Sequence, residues 1–116
     1  MFRLRGQRTK YGNVKVGGYD SRLEFWDAIY LKNLVAEGVI TDLREQVSYP
    51  IRVNDKPICK AIVDFQFKRN GKTIYYETKG FHTEVYRLKR KLIEATLGEH
   101  EVYLVNANQK QIEDAA

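Results

Sequence analysis

The stretch Asp64 to Gly80, DFQFKRNGKTIYYETKG, constrains the fold more tightly than any other part of the chain. Asn70-Gly71 is the favoured dipeptide for a two-residue type I′ hairpin, because both turn positions need positive φ. Aromatic and polar residues alternate on either side of it, the pattern of two half-buried strands. With those residues at the tip, Arg69 pairs with Lys72, and counting outward sets Asp64 opposite Glu77 on one face of the ribbon. Carboxylates placed this way have Cβ atoms about 5 Å apart and repel. Lys79 falls opposite Ile62, diagonal to Asp64, so two acids and an amine share that face. Val63, Phe65, Phe67, Ile74 and Tyr76 share the other, which is expected to be core.

Elements can be placed on both sides of this hairpin. Residues 1–10 read as a basic arm and 11–19 as a short strand. Asp20-Ser21 can cap a helix that runs to about Glu37 and stops at Gly38. A strand from Leu43 to Val53 is expected to break near Pro50, and Asn54-Asp55 turns into a second strand, Ile58 to Lys68. The third runs from Thr73 to Lys79. A helix from about Thr83 to Leu97 follows, with Val85, Leu88, Leu92 and Ala95 on its apolar side. Glu101 to Val105 is a last strand, and 106–116 reads as a polar, peripheral tail. The result is one domain, 11–105, with a mixed sheet packed by helices.

Composition narrows the class. The chain has 116 residues, 43% of them apolar and 30% charged, which suits a folded globular domain rather than a disordered one. No apolar run reaches the length of a membrane span, and no apolar segment of a secretory leader follows Met1. The one cysteine, Cys59, can form no internal disulfide and has no companion thiol for a zinc site. A cytoplasmic setting is expected. Charge is unevenly spread: Arg3, Arg5, Arg8, Lys10 and Lys15 precede the first acid, Asp20, and the chain from Asp20 onward holds 15 basic and 15 acidic residues. A basic arm on a balanced domain suggests a polyanion partner such as DNA.

The opposed acids become useful if a divalent cation lies between them. Mg²⁺ prefers oxygen donors and typically keeps waters and substrate phosphate oxygens beside one or two carboxylates. Glu24 adds a third acid that could join Asp64 and Glu77 as a metal ligand. It heads a stripe with Ala28, Leu31 and Val35 on the first helix, and Ser21-x-x-Glu24 is also a capping box.

These residues, in order, resemble the PD-(D/E)XK nuclease superfamily: Ser21 and Glu24, then Val63-Asp64-Phe65, then Glu77-Thr78-Lys79, then a helix. The segments KYGN (Lys10 to Asn13) and KGFHTEVYRLK (Lys79 to Lys89) are similar to a small phage-encoded branch of it. The likeness runs from Lys10 to Val105. It implies a restriction-endonuclease-like αβββαβ core and Mg²⁺- or Mn²⁺-dependent cleavage of DNA, in the cytoplasm of a host cell. It also implies that Asp64 and Glu77 are metal ligands, Lys79 the catalytic lysine and Glu24 the acid from the first helix. Val63 stands where the superfamily name has proline, a position that varies widely there. Gln46 is similar to a glutamine that steadies the lysine or substrate in related nucleases.

Weaker candidates remain. His82 and Thr83 begin the second helix, whose amides could receive a phosphate, although Thr83 serves equally as an N-cap. Arg87 and Arg90 could track a DNA backbone. Paired cuts across a branched substrate would require two sites and hence a homodimer. The rival reading is a nucleic-acid-binding protein that keeps this fold without turnover.

Overall fold

Two dipeptides fold the chain back on itself as their chemistry demands. Asn70 and Gly71 take φ of 50° and 78°, and Asn54 and Asp55 take 51° and 66°, the positive values that a type I′ turn requires. They join three antiparallel strands in a computed structural model that describes residues 22–80 and 82–116. The arm at 1–10, the strand expected at 11–19 and the Ser21 cap lie outside the described residues. The elements are α1 (Arg22–Ala36), β1 (Thr41–Val53), β2 (Lys56–Arg69), β3 (Lys72–Glu77), α2 (Glu84–Thr96), β4 (Glu101–Val105) and α3 (Gln109–Ala115). The sheet order is β1-β2-β3-β4, antiparallel except for the parallel pair β3 and β4, which α2 connects. This is an α/β fold with a mixed sheet.

The hairpin register is the expected one, from Arg69↔Lys72 to Phe65↔Tyr76, with no intervening bulge. One strand differs from expectation. β1 runs unbroken through Pro50, which pairs with Lys60. Among the described residues β1 lies at the sheet's edge, where a residue lacking an N–H need not remove a ladder bond.

Helix α1 exists because Glu24, Ala28, Leu31 and Leu34 recur on one side and are all buried. Val35, expected in that stripe, is exposed, and Leu34 takes its place. The helix ends as its glycine dictates. Gly38 adopts φ 79°, its N–H bonds the Val35 carbonyl, and the Val39 N–H reaches back to Leu34. That paired closure is the Schellman motif.

Among the described residues, the buried side chains form two hydrophobic clusters. Phe65, Phe67, Ile74 and Tyr76 pack with Ala28, Leu31 and Leu34 of α1. Ala61 and Val63 join Tyr49, Ile51, Tyr103 and Ile93 of α2 in the second. Neighbouring residues of a strand point to opposite faces. Tyr76 belongs to the α1 cluster and Tyr75 packs against the α2 cluster, so the helices cover opposite faces of the sheet. Val63 and Phe65 ought then to share a cluster, yet they do not. Alternation breaks at Asp64, opposite Gln46, whose φ is 53°, and the pairing passes from Glu45↔Phe65 to Val47↔Val63 across that point.

Helix α2 is turned away from its expected orientation. Val85 and Leu88 are 65% and 60% exposed, and Ala95 is exposed too, while Leu92 packs inward as expected and Ile93 is buried. Hydroxyls decide this. Tyr86 bonds Tyr103 (3.0 Å), and Thr96 bonds Tyr49 (3.0 Å), fixing a face of Tyr86, Ile93 and Thr96 that a count of aliphatic residues overlooks. Residues 109–115 also differ from the expected tail. They form α3, opened by an Asn108/Gln111 capping box, and Ile112 is fully buried in the α1 cluster. Burying such a side chain contributes about 1.5–3 kcal/mol. Among the described residues, no helix is long and apolar enough to cross a membrane.

Candidate active site

The residues that matter chemically meet where β3 ends. The Asp64 N–H donates to Glu77 Oε1 (3.3 Å), and the Thr78 N–H donates to Asp64 Oδ2 (2.9 Å). The two carboxyl groups therefore each hold the other residue's strand by an amide, although their charges repel. Glu77 is nearly inaccessible, at 4% exposure. Burial, and then the negative charge of Asp64, push its carboxyl up to about 7 from 4.5. Lys79 and the Asp64 amide oppose that shift without cancelling it.

Lys79 leaves the ladder, which ends at Glu77, so the expected pairing with Ile62 is not made. Its ammonium lies 3.6 Å from Glu77 Oε2 and 4.6 Å from the centre of the Tyr86 ring. A salt bridge and a cation–π contact thus hold a half-buried charge between two groups. Tyr86 is itself steadied by Tyr103, whose hydroxyl burial and the Tyr86 bond hold above the usual range.

Glu24 is buried on α1 and accepts a hydrogen bond from Gln46 Nε2 at 2.9 Å. Gln46 stands opposite Asp64 in the register, so the left-handed residue within β1 also ties α1 to the hairpin. Among the described residues, no three His, Cys, Asp or Glu side chains are grouped to hold a metal by themselves. What a cation would meet is the Asp64–Glu77 pair. Oxygen donors without imidazole or thiolate suit Mg²⁺ or Mn²⁺ rather than zinc.

No family model matches the sequence, and no curated protein matches it. The site must be read on its own geometry.

The remaining expected residues are scattered. Thr83 is the N-cap of α2, its hydroxyl accepting from the Tyr86 N–H at 3.0 Å, and His82 precedes it in edge contact with the Tyr86 ring. Arg87 is exposed. Arg90 is half-buried and turned along the helix to Glu94, 3.5 Å away, so it does not share Arg87's open face. Arg3, Arg5, Arg8 and Lys10 lie outside the described residues.

Three residues were not legible as site components. Asp27 Oδ2 lies 2.7 Å from the Thr78 hydroxyl and 3.1 Å from that of Tyr76. Asn106 binds the backbone of Lys79. Tyr86 carries the lysine. Asp27 follows Glu24 by three residues on α1, a helical spacing that could have flagged it. Nothing local marks Asn106, because its partner is 27 residues away.

Proposed function

We propose that this chain is a Mg²⁺- or Mn²⁺-dependent DNA endonuclease with a restriction-endonuclease-like αβββαβ core, selective for branched or junction DNA. One observation carries the reading. A buried glutamate is kept beside a second carboxylate and a half-buried lysine at the end of one hairpin, at the cost of a strongly raised carboxyl pKa. A fold gains no stability from opposing two acids, so a function that uses them is the natural explanation.

Asp64 and Glu77 would hold the cation, and waters and phosphate oxygens would complete its shell. When bound, the metal supplies charge neutralisation, polarises the phosphodiester and lowers the pKa of a coordinated water. The protein's own groups do the rest. Lys79, held at Glu77 and over Tyr86, presents an ammonium to the charge that grows on the phosphate during attack. Glu24 holds Gln46, which stands opposite Asp64 in the register, and the two would order the hydration of the site. Water attacks phosphorus and gives up a proton to bulk water, the P–O bond to the leaving sugar oxygen breaks, and that oxygen takes a proton from solvent. Arg87 and the four basic residues of the arm supply charge along the DNA backbone.

The test is cleavage of linear, nicked, flapped and four-way-junction DNA in Mg²⁺ or Mn²⁺, with EDTA controls. Cleavage should vanish in EDTA and in Asp64→Asn, Glu77→Gln and Lys79→Ala, while binding persists. Full activity in any one purified variant would sink the assignment. Binding without turnover by the wild type would favour a silent nucleic-acid-binding protein.

A further inference from the structure

β3 ends at Glu77, paired with Val105 on β4, yet the lysine on which the proposed chemistry depends lies two residues further on. Backbone beyond the end of a ladder is free to fray unless something replaces the missing strand. Here a side chain replaces it. Asn106 turns out of β4 with φ 51°, and its own N–H still reaches the Glu77 carbonyl at 3.0 Å. Its carboxamide then closes on Lys79 from both sides. Oδ1 accepts from the Lys79 N–H at 3.0 Å, and Nδ2 donates to the Lys79 carbonyl at 2.6 Å.

A carboxamide carries the same donor and acceptor as a peptide unit. Asn106 therefore serves as one further rung of parallel sheet, built from a side chain. The residue type is tightly specified. Asparagine tolerates the left-handed backbone and carries both groups on a short arm. Aspartate tolerates that backbone but cannot donate, and glycine has no side chain.

We infer that Asn106 is a positioning residue for Lys79, setting where its ammonium stands relative to Glu77 and the scissile phosphate. This rests on the nuclease reading and extends it to a residue outside the acid–lysine constellation. Asp27 holds the intervening Thr78 through its hydroxyl, so α1 anchors Thr78 while Asn106 anchors Glu77 and Lys79 on either side of it.

The experiment compares wild type with Asn106→Gly and Asn106→Asp, measuring single-turnover rate, DNA affinity and amide hydrogen exchange at Lys79. Asn106→Gly keeps the backbone freedom and removes the clasp. It should slow cleavage by about 10–100-fold, the scale of a small misplacement of a reacting group. DNA affinity should stay within about twofold, since no phosphate contact is lost, and the Lys79 amide should exchange faster. Asn106→Asp keeps the acceptor and should fall between the two. Wild-type cleavage rates in Asn106→Gly, or a loss confined to affinity, would overturn the inference while leaving the nuclease reading intact. A wild-type protein that cleaves none of the DNAs would instead defeat the nuclease reading, and this inference with it.

Discussion

Glu77 carries an acid into a place where water barely reaches, and the consequences can be measured without any substrate. Its folded-state pKa is raised, to about 7. The proton is therefore bound more tightly in the folded protein than in the unfolded chain. The stability this group contributes is complete below its unfolded value, near 4.5, and is lost as pH rises through about 7. Metal-free protein should accordingly melt at a lower temperature at pH 8 than at pH 5. Glu77→Gln should remove most of that difference and gain roughly 2–4 kcal/mol over wild type at pH 8. Denaturant titrations at both pH values decide it, and a variant as pH-sensitive as wild type would contradict the assignment. Asp64→Asn should stabilise the metal-free protein by about 0.2–1 kcal/mol near neutral pH, because one cross-strand repulsion disappears. Mg²⁺ should raise the wild-type melting temperature by mass action and raise the variant's far less. An undiminished shift in the variant would mean that the carboxylates do not share a cation.

At the scale of elements, the clearest test separates what sequence patterns conveyed from what they did not. Ile112→Ala should cost about 2–5 kcal/mol, as for any large aliphatic side chain emptied from a core. Leu88→Ala should stay within about 0.5 kcal/mol. Urea unfolding of the two variants would measure both, and the reverse order would restore the peripheral tail and the Val85–Leu88 face. The hairpin was legible because a two-residue turn dictates its pairing from Arg69↔Lys72 to Phe65↔Tyr76, and the meeting of Asp64 with Glu77 followed from that count, whereas the place of Lys79 beyond the ladder did not. The C-terminal end of α1 and the β1–β2 turn were legible through Gly38 and Asn54-Asp55 for the same local reason. Helix α2 was not, since Tyr86 and Thr96 face inward by virtue of hydroxyl partners on β4 and β1. Nor was α3, a seven-residue helix with one large buried aliphatic. Continuous alternation puts Val63 on the face of Phe65, and a left-handed Gln46 gives no warning in the sequence. In each case the deciding partner lies far along the chain.

For the molecule as a whole, charge and stoichiometry govern how DNA would be held. Removing residues 1–10 deletes Arg3, Arg5, Arg8 and Lys10 from a chain of net charge +5. If all four neutralise phosphates, the slope of log K against log salt should fall in magnitude by roughly 3–4 on duplex DNA. Turnover at saturating DNA should persist. An unchanged slope would assign the grip to other residues, with exposed Arg87 the first to examine. Paired cuts on a junction require two sites where one chain offers one, so a symmetric dimer is proposed. Sedimentation of a strict monomer that still makes paired cuts would contradict it.

The break in alternation at Asp64 has a consequence for how the protein comes apart. The two hydrophobic clusters meet at that residue, one closed by α1 and α3, the other by α2. Such an arrangement favours two cooperative units that open with different free energies. Native-state exchange should then show two tiers of protection, dividing β2 between Val63 and Phe65. Asp64 sits on the seam, with Glu24 anchored in one unit and Tyr86 in the other. Opening either unit would dismantle the constellation while most of the chain stays folded. A cation bound at Asp64 and Glu77 would tie the two units together, so the tiers should converge when Mg²⁺ is added.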